Sequence, residues 1–198
     1  MALLESIRIK IGTNMPGFIL RNADGQSFHS QQLYGEKGLL VIFTCNHCPY
    51  AQAVWPRLIK IAGQAKELGI NTVAINSNIN PEYPEDSPKK MKEFIEENDL
   101  QFPYLIDQSQ ETARAYKAQC TPDVYLMDSN KKLIYHGSID DNWQYPEKVN
   151  HHDLLEAVNN LANGFPGIPE ENQKPSIGCS IKWRDTEDIQ DDVDDDIK

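Results

Sequence analysis

At 198 residues, 39 % of them hydrophobic and 25 % charged, the chain can bury one sizeable core and carry short extensions besides. A formal charge of −11 speaks against direct binding to nucleic acid or an anionic membrane; residues 185–198 alone hold eight carboxylates against one lysine, so the body is only mildly acidic. No run approaches the roughly 18 apolar residues of a membrane span, and residues 1–15 mix Glu5, Arg8 and Lys10 with short apolar pieces, so no leader peptide is expected and the cytoplasm is the expected compartment.

In chain order, Phe18-Ile19-Leu20 and Gln26-Ser27-Phe28 flank Asn22-Ala23-Asp24-Gly25, which reads as a β-hairpin because Asp-Gly suits a tight turn. A short helical turn follows over 30–33, and Gly35 and Gly38 break the pattern before a wholly apolar strand over 39–44. Apolar positions Ala51, Val54, Leu58, Ile61, Ala62, Ala65 and Leu68 then recur at helical spacing, predicting a helix over 49–68 that Gly69 ends and Pro56 kinks. A strand over 71–76, a polar loop over 77–88 and a helix over 89–98 capped by Ser87 come next. Residues 102–107 read as a short strand and 111–118 as a short helix. Cys120-Thr121-Pro122 leads into an antiparallel pair, 124–127 and 133–136, and a helix over 151–163 closes the domain with Gly164 as its cap. The expected architecture is α/β, a mixed central sheet with helices on both faces. Residues 1–164 are expected to form the domain, 165–184 a Pro/Gly-rich arm that is not helical, and 185–198 an acidic tail expected to be disordered.

Cys45-Asn46-His47-Cys48 lies on the seam between the apolar strand and the long helix. A thiol at a helix N-terminus meets unpaired N–H groups and the positive end of the helix dipole, so the thiolate of Cys45 is expected to be favoured. Cys48, one turn along, is near enough to attack a mixed disulfide on Cys45, and His47 could stabilise the thiolate further. Cys-x-x-Cys also occurs as half of a zinc site, but no second ligand pair of that spacing exists here. Two rivals stay open. One is a protein that holds a soft ion such as Cu(I) or zinc with Cys45, Cys48 and His136 or Cys120; the other is a redox-sensing module that docks a partner through the tail or the arm.

The Pro16-Gly17-Phe18 to Asp24-Gly25 hairpin, the Cys45–Cys48 motif, Phe102-Pro103-Tyr104-Leu105-Ile106-Asp107 and Thr121-Pro122 before a strand together resemble the thioredoxin fold. The branch is that of peroxiredoxin-like, alkyl hydroperoxide reductase/thiol-specific antioxidant proteins. Pro175-Ser176-Ile177-Gly178-Cys179-Ser180 resembles a signature of one group within it. The resemblance implies an N-terminal hairpin extension, Cys45 as attacking thiol, Cys48 as its resolving partner, and a cis-proline at Pro122 that presents the backbone of Thr121 to an extended substrate. It implies a thiol-disulfide oxidoreductase or a thiol peroxidase, acting on a protein disulfide or a peroxide, regenerated by a dithiol system such as thioredoxin or glutathione, with no organic cofactor. The pattern departs at three places. Ile42 stands where a peroxiredoxin places a hydroxyl three residues before its cysteine, with Thr44 adjacent to Cys45 instead; residues 39–43 lack the buried acid of thioredoxins; and Cys120 is extra, a candidate alternative partner for Cys45. Cys179 is a second candidate auxiliary thiol, on the arm.

Overall fold

The computed structural model describes residues 3–184, and the acidic tail lies outside them. A seven-stranded sheet is built around β4 (Gly38–Phe43), all six of whose residues are buried. β4 runs parallel to β5 (Ile70–Asn76) and antiparallel to β8 (Asp123–Asp128). Outward from β5 come β6 (Tyr104–Ile106), then β2 (Ile19–Asn22) and β3 (Ser27–His29) of the expected hairpin; beyond β8 lies β9 (Leu133–Gly137).

Alternation along β4 explains why it reads as a continuous apolar run. Leu40 and Ile42 join one core with α2 (Pro49–Glu67), α3 (Pro88–Glu97) and α5 (Asp153–Asn163), through residues such as Leu58, Met91 and Leu154. Leu39, Val41 and Phe43 join a second with Ala113 and Tyr116 of α4 (Glu111–Tyr116) on the other face. Both faces are thus covered, as a strand without polar positions requires, and each fully buried Leu or Phe contributes about 1.5–3 kcal/mol. A short α1 (Ser30–Leu33) follows the hairpin. This is the thioredoxin fold with an N-terminal extension.

Pro56 sits within α2, which continues past it. Both Pro56 and Gln52, whose carbonyl loses its donor, are exposed, so water can satisfy the vacant acceptor. Gly164 ends α5 with φ +69°, and Ser87 accepts the Lys90 N–H to start α3.

Two strands escape the sequence pattern. β1 (Leu3–Glu5) and β10 (Ile177–Ser180) pair with β7 (Cys120–Thr121) in a three-stranded sheet of order β1-β10-β7. Ile-Gly-Cys-Ser has little β-propensity of its own; its pairing partners lie far away in sequence, and no local period reveals them.

Candidate active site

Loop 44–48 leaves the carboxyl end of β4 and turns into α2. Cys48, not Cys45, is the residue at the N-cap, with φ −75° and ψ 120°, and Pro49 opens the helix. Cys45 lies three residues upstream, beside the other carboxyl-end loop. Because β5 runs parallel to β4, the loop after β5 arrives at the same edge, and it delivers Asp86 to the motif.

Asp86 is fully buried and organises the loop. Its Oδ1 accepts the Asn46 N–H at 2.6 Å, the His47 N–H at 3.4 Å and the Asn76 side-chain amide at 3.3 Å. Its Oδ2 pairs with His47 Nδ1. The His47 ring stacks on Tyr83, with centroids 4.4 Å apart, and its Nε2 meets no hydrogen-bond partner among the described residues. Asn46 is fixed in turn: its side-chain amide donates to Glu85 O at 3.0 Å, its Oδ1 accepts the Tyr104 hydroxyl at 3.1 Å, and its carbonyl accepts from Gln52 at 2.6 Å. Asp86 thus supplies the buried acid that the strand before the motif lacks.

On the opposite side Thr121-Pro122 is a cis peptide. The Thr121 hydroxyl lies 3.3 Å from Cys45 Sγ, and Cys48 in its thiol form donates to the Thr121 carbonyl at 3.2 Å. The buried hydroxyl of Thr44 meets no hydrogen-bond partner among the described residues, while its N–H donates to Ile75 O at 2.9 Å. Of the expected site residues, the structure therefore gathers Cys45, His47, Cys48, Thr121 and Pro122 around the thiols and leaves the Thr44 side chain without a contact to them.

The surroundings of the two sulfurs differ from the expectation of a favoured Cys45 thiolate. Burial, first of all, pushes the Cys45 thiol well above its usual range; the hydrogen bond it gives to Cys48 and the nearby Asp86 charge act the same way, and the Thr121 hydroxyl opposes them. Cys48 is lowered to about 5, chiefly because the Cys45 thiol donates to it, with the Cys179 thiol and the N–H groups of Ala51 and Cys179 adding to the effect against burial. The donors that favour a thiolate converge on the residue that caps the helix.

The auxiliary thiols separate. Cys120 is buried, its sulfur 3.8 Å from Pro122 O and 3.9 Å from Ser176 O, and burial raises it strongly. Cys179, on β10, shares the core cluster of Cys45 and Cys48. No disulfide joins any of the four. His136 is not at the site: its Nε2 pairs with Asp123 Oδ1 at 2.9 Å, and its ring stacks on Tyr125. The soft-ion set with His136 is therefore not assembled. Among the described residues, Cys45, His47 and Asp86 form a donor group that a metal could use, with ligand atoms within 4.8 Å of one another.

Asp86 is the functional residue that sequence reasoning missed. Its signal is topological: a long loop after a strand parallel to β4 must pass over the end where the motif sits. Tyr104 was placed on a strand, with nothing in its spacing to show that its hydroxyl reaches Asn46.

A sequence model described as the AhpC/TSA family matches residues 11–136. The chain belongs to that family. An uncharacterized conserved protein from Geobacillus kaustophilus is 40 % identical, with a TM-score of 0.86 over 94 % of this chain and 98 % of that one. A hypothetical protein from Sinorhizobium meliloti is 37 % identical, with a TM-score of 0.85 over 91 % and 98 %. The thiol-disulfide oxidoreductase ResA of Halalkalibacterium halodurans is 26 % identical over 63 % of this chain, and the match spans 66 % of its length, just under two thirds. The thioredoxin domain of a Bacteroides vulgatus thiol-disulfide oxidoreductase, 20 % identical over 65 % of this chain and 89 % of that one with a TM-score of 0.54, shares the fold.

Proposed function

We propose that the protein is a thiol-disulfide oxidoreductase in which Cys45 and Cys48 cycle between dithiol and disulfide. The observation that carries this is the shared proton: two buried thiols at the start of α2, one donating to the other, facing cis Pro122. Cys45 attacks the substrate disulfide, with the His47–Asp86 pair beside it as acceptor for its proton. In the mixed disulfide Cys45 no longer has a proton to donate, but the Cys179 thiol and the N–H groups of Ala51 and Cys179 still favour the Cys48 thiolate, which attacks the sulfur of Cys45 and releases the second substrate thiol. A cytoplasmic thiol reductant, either a dithiol of the thioredoxin class or glutathione, then fits. A groove of about 320 Å³ lined by Pro122, Trp143, Ile139 and Pro175 lies beside the site and suits an apolar segment of a protein substrate.

Turnover of a disulfide-bonded peptide with dithiothreitol tests the reading. Cys45→Ser and Cys48→Ser are each expected to lose at least a hundredfold, by analogy with the removal of other activated nucleophiles, and Cys48→Ser should trap the substrate on Cys45. Full turnover by Cys48→Ser, or trapping by Cys45→Ser instead, would sink the assignment. Peroxide is the weaker substrate class here, since Ile42, buried in the sheet, stands where a peroxide-binding hydroxyl would be needed. Reduced protein is expected to consume hydrogen peroxide no faster than an ordinary thiol.

A further inference from the structure

β10 occupies the place that the backbone of Thr121 would offer to an extended substrate. It lies antiparallel on β7 with Cys179 opposite Thr121 and Ser180 opposite Cys120. The approach leaves no room for a side chain at 178, where a Cβ would come within 2.0 Å of the Thr121 carbonyl oxygen. The strand is pinned at both ends. Ser6 and Ser176 exchange two hydrogen bonds of 2.9 Å, the Ile181 N–H donates to Gln119 O at 3.0 Å, and the Lys182 N–H donates to Asn78 Oδ1 at 2.8 Å. In this register both the N–H and the thiol of Cys179 reach the Cys48 sulfur, while the Tyr50 N–H, in the first turn of α2, donates to the sulfur of Cys179. The backbone register agrees independently: Cys48 Sγ is 3.2 Å from the carbonyl of Thr121, the residue opposite Cys179.

Resting on the proposed Cys45–Cys48 couple, we infer that Cys179 is a third redox thiol that attacks the Cys48 sulfur of the Cys45–Cys48 disulfide, forming a Cys48–Cys179 disulfide and returning Cys45 to the thiol. One S–S bond forms as the other breaks. Cys179 gives up a proton, Cys45 leaves as a thiolate and takes one up, and no oxidant or reductant enters. Oxidation of Cys48 relieves part of what opposes a Cys179 thiolate. Burial holds the Cys179 thiol up at about 12, and Cys48 contributes the next largest opposition; with Cys48 in a disulfide its charge is gone, while Lys182 and the Tyr50 N–H remain to favour the thiolate. Cys120 is less suited to the role, since its sulfur faces the carbonyls of Pro122 and Ser176. The exchange would free the attacking thiol while the oxidising equivalents rest on the strand that covers the site.

The test is disulfide mapping of the full chain in glutathione buffers of graded ratio, with acid quench, alkylation and mass spectrometry. Wild type is expected to yield both the Cys45–Cys48 and the Cys48–Cys179 peptides. Cys45→Ser, denied the first bond, should yield Cys48–Cys179, and Cys179→Ser should yield Cys45–Cys48 with complete loss of the other. Wild type that gives the Cys45–Cys48 peptide alone at every ratio, with Cys45→Ser carrying glutathione on Cys48, overturns the inference and leaves the couple standing. Loss of the Cys45–Cys48 peptide from both wild type and Cys179→Ser overturns the couple itself.

Discussion

Cys45 and Cys48 stand three residues apart in one apolar cluster and are equally hidden from solvent, yet their surroundings pull them in opposite directions. Cys45 faces a carboxylate across the loop and has a single hydroxyl, that of Thr121, to favour its anion. Cys48 faces a helix N-terminus and receives two thiols and two backbone N–H groups. Burial alone would raise both. What separates them is the count of donors aimed at each sulfur, and that count is set by which residue the helix begins on and which strand lies over it.

Removing Asp86 should disturb this contrast most. Asp86→Asn can keep an oxygen for the Asn46 and His47 N–H groups, but it turns an NH2 group toward His47 Nδ1 and removes the buried carboxylate from the His47 pair. A loss of about 2–4 kcal/mol is expected, since a charge-assisted contact to the ring is lost and a buried pair is broken, and urea unfolding of the reduced protein measures it. The same change removes a charge beside Cys45, so thiolate absorbance should show the Cys45 pKa falling toward that of Cys48. An unchanged titration would mean that the carboxylate does not govern Cys45.

The pH dependence of stability should show the contrast from the other side. Cys48 titrates at about 5 in the folded protein and at about 9 in the unfolded chain. Between those values the unfolded state binds the extra proton, so the contribution of Cys48 to stability grows with pH; it is complete above about 9 and lost as pH falls through about 5. The stability difference between reduced wild type and Cys48→Ser is therefore expected to widen across that window. A flat difference would place the thiolate elsewhere.

How much of this was legible beforehand follows from which interactions are local. The run over 39–43, the helical spacing from Ala51 to Ala65 and the Ser87 cap carry their own period or cap chemistry, so the central sheet and its helices could be read directly. Thr121-Pro122 and Cys45–Cys48 were legible because they are short motifs with fixed roles. Asp86 and β10 were not, since each acts through a partner far along the chain: 40 residues separate Asp86 from Asn46, and Cys179 pairs with Thr121. Burial sets the direction of the Cys45 shift, Asp86 adds to it, and Cys179 of β10 acts on Cys48. A motif names the thiols, but the tertiary neighbours decide which one ionises.

Loosening β10 should act on both sulfurs at once. Gly178→Ala places a methyl group against the Thr121 carbonyl, an overpacking clash worth about 1–3 kcal/mol if the strand yields. Each 1.4 kcal/mol is a tenfold change in the open fraction, so alkylation of Cys45 and Cys48 by iodoacetamide is expected to quicken about tenfold, with the folded core intact by circular dichroism. Unchanged alkylation would mean that the thiols are reached by a route β10 does not cover.

The smallest effect belongs to the Thr121 hydroxyl. At 3.3 Å from Cys45 it is a weak contact, yet it is the group that opposes burial, Cys48 and Asp86 in setting the state of that sulfur. Thr121→Ala leaves the backbone groups that pair with β10 in place and removes the hydroxyl alone. Losing a hydrogen bond worth about 1 kcal/mol should slow attack by Cys45 roughly fivefold and raise its pKa further, leaving Cys48 as it was. Thr121→Ser should restore both. If alanine and serine at this position behave alike, the methyl packing of Thr121 matters and its hydroxyl does not, and the ionisation of Cys45 is governed by Asp86 and Cys48 alone.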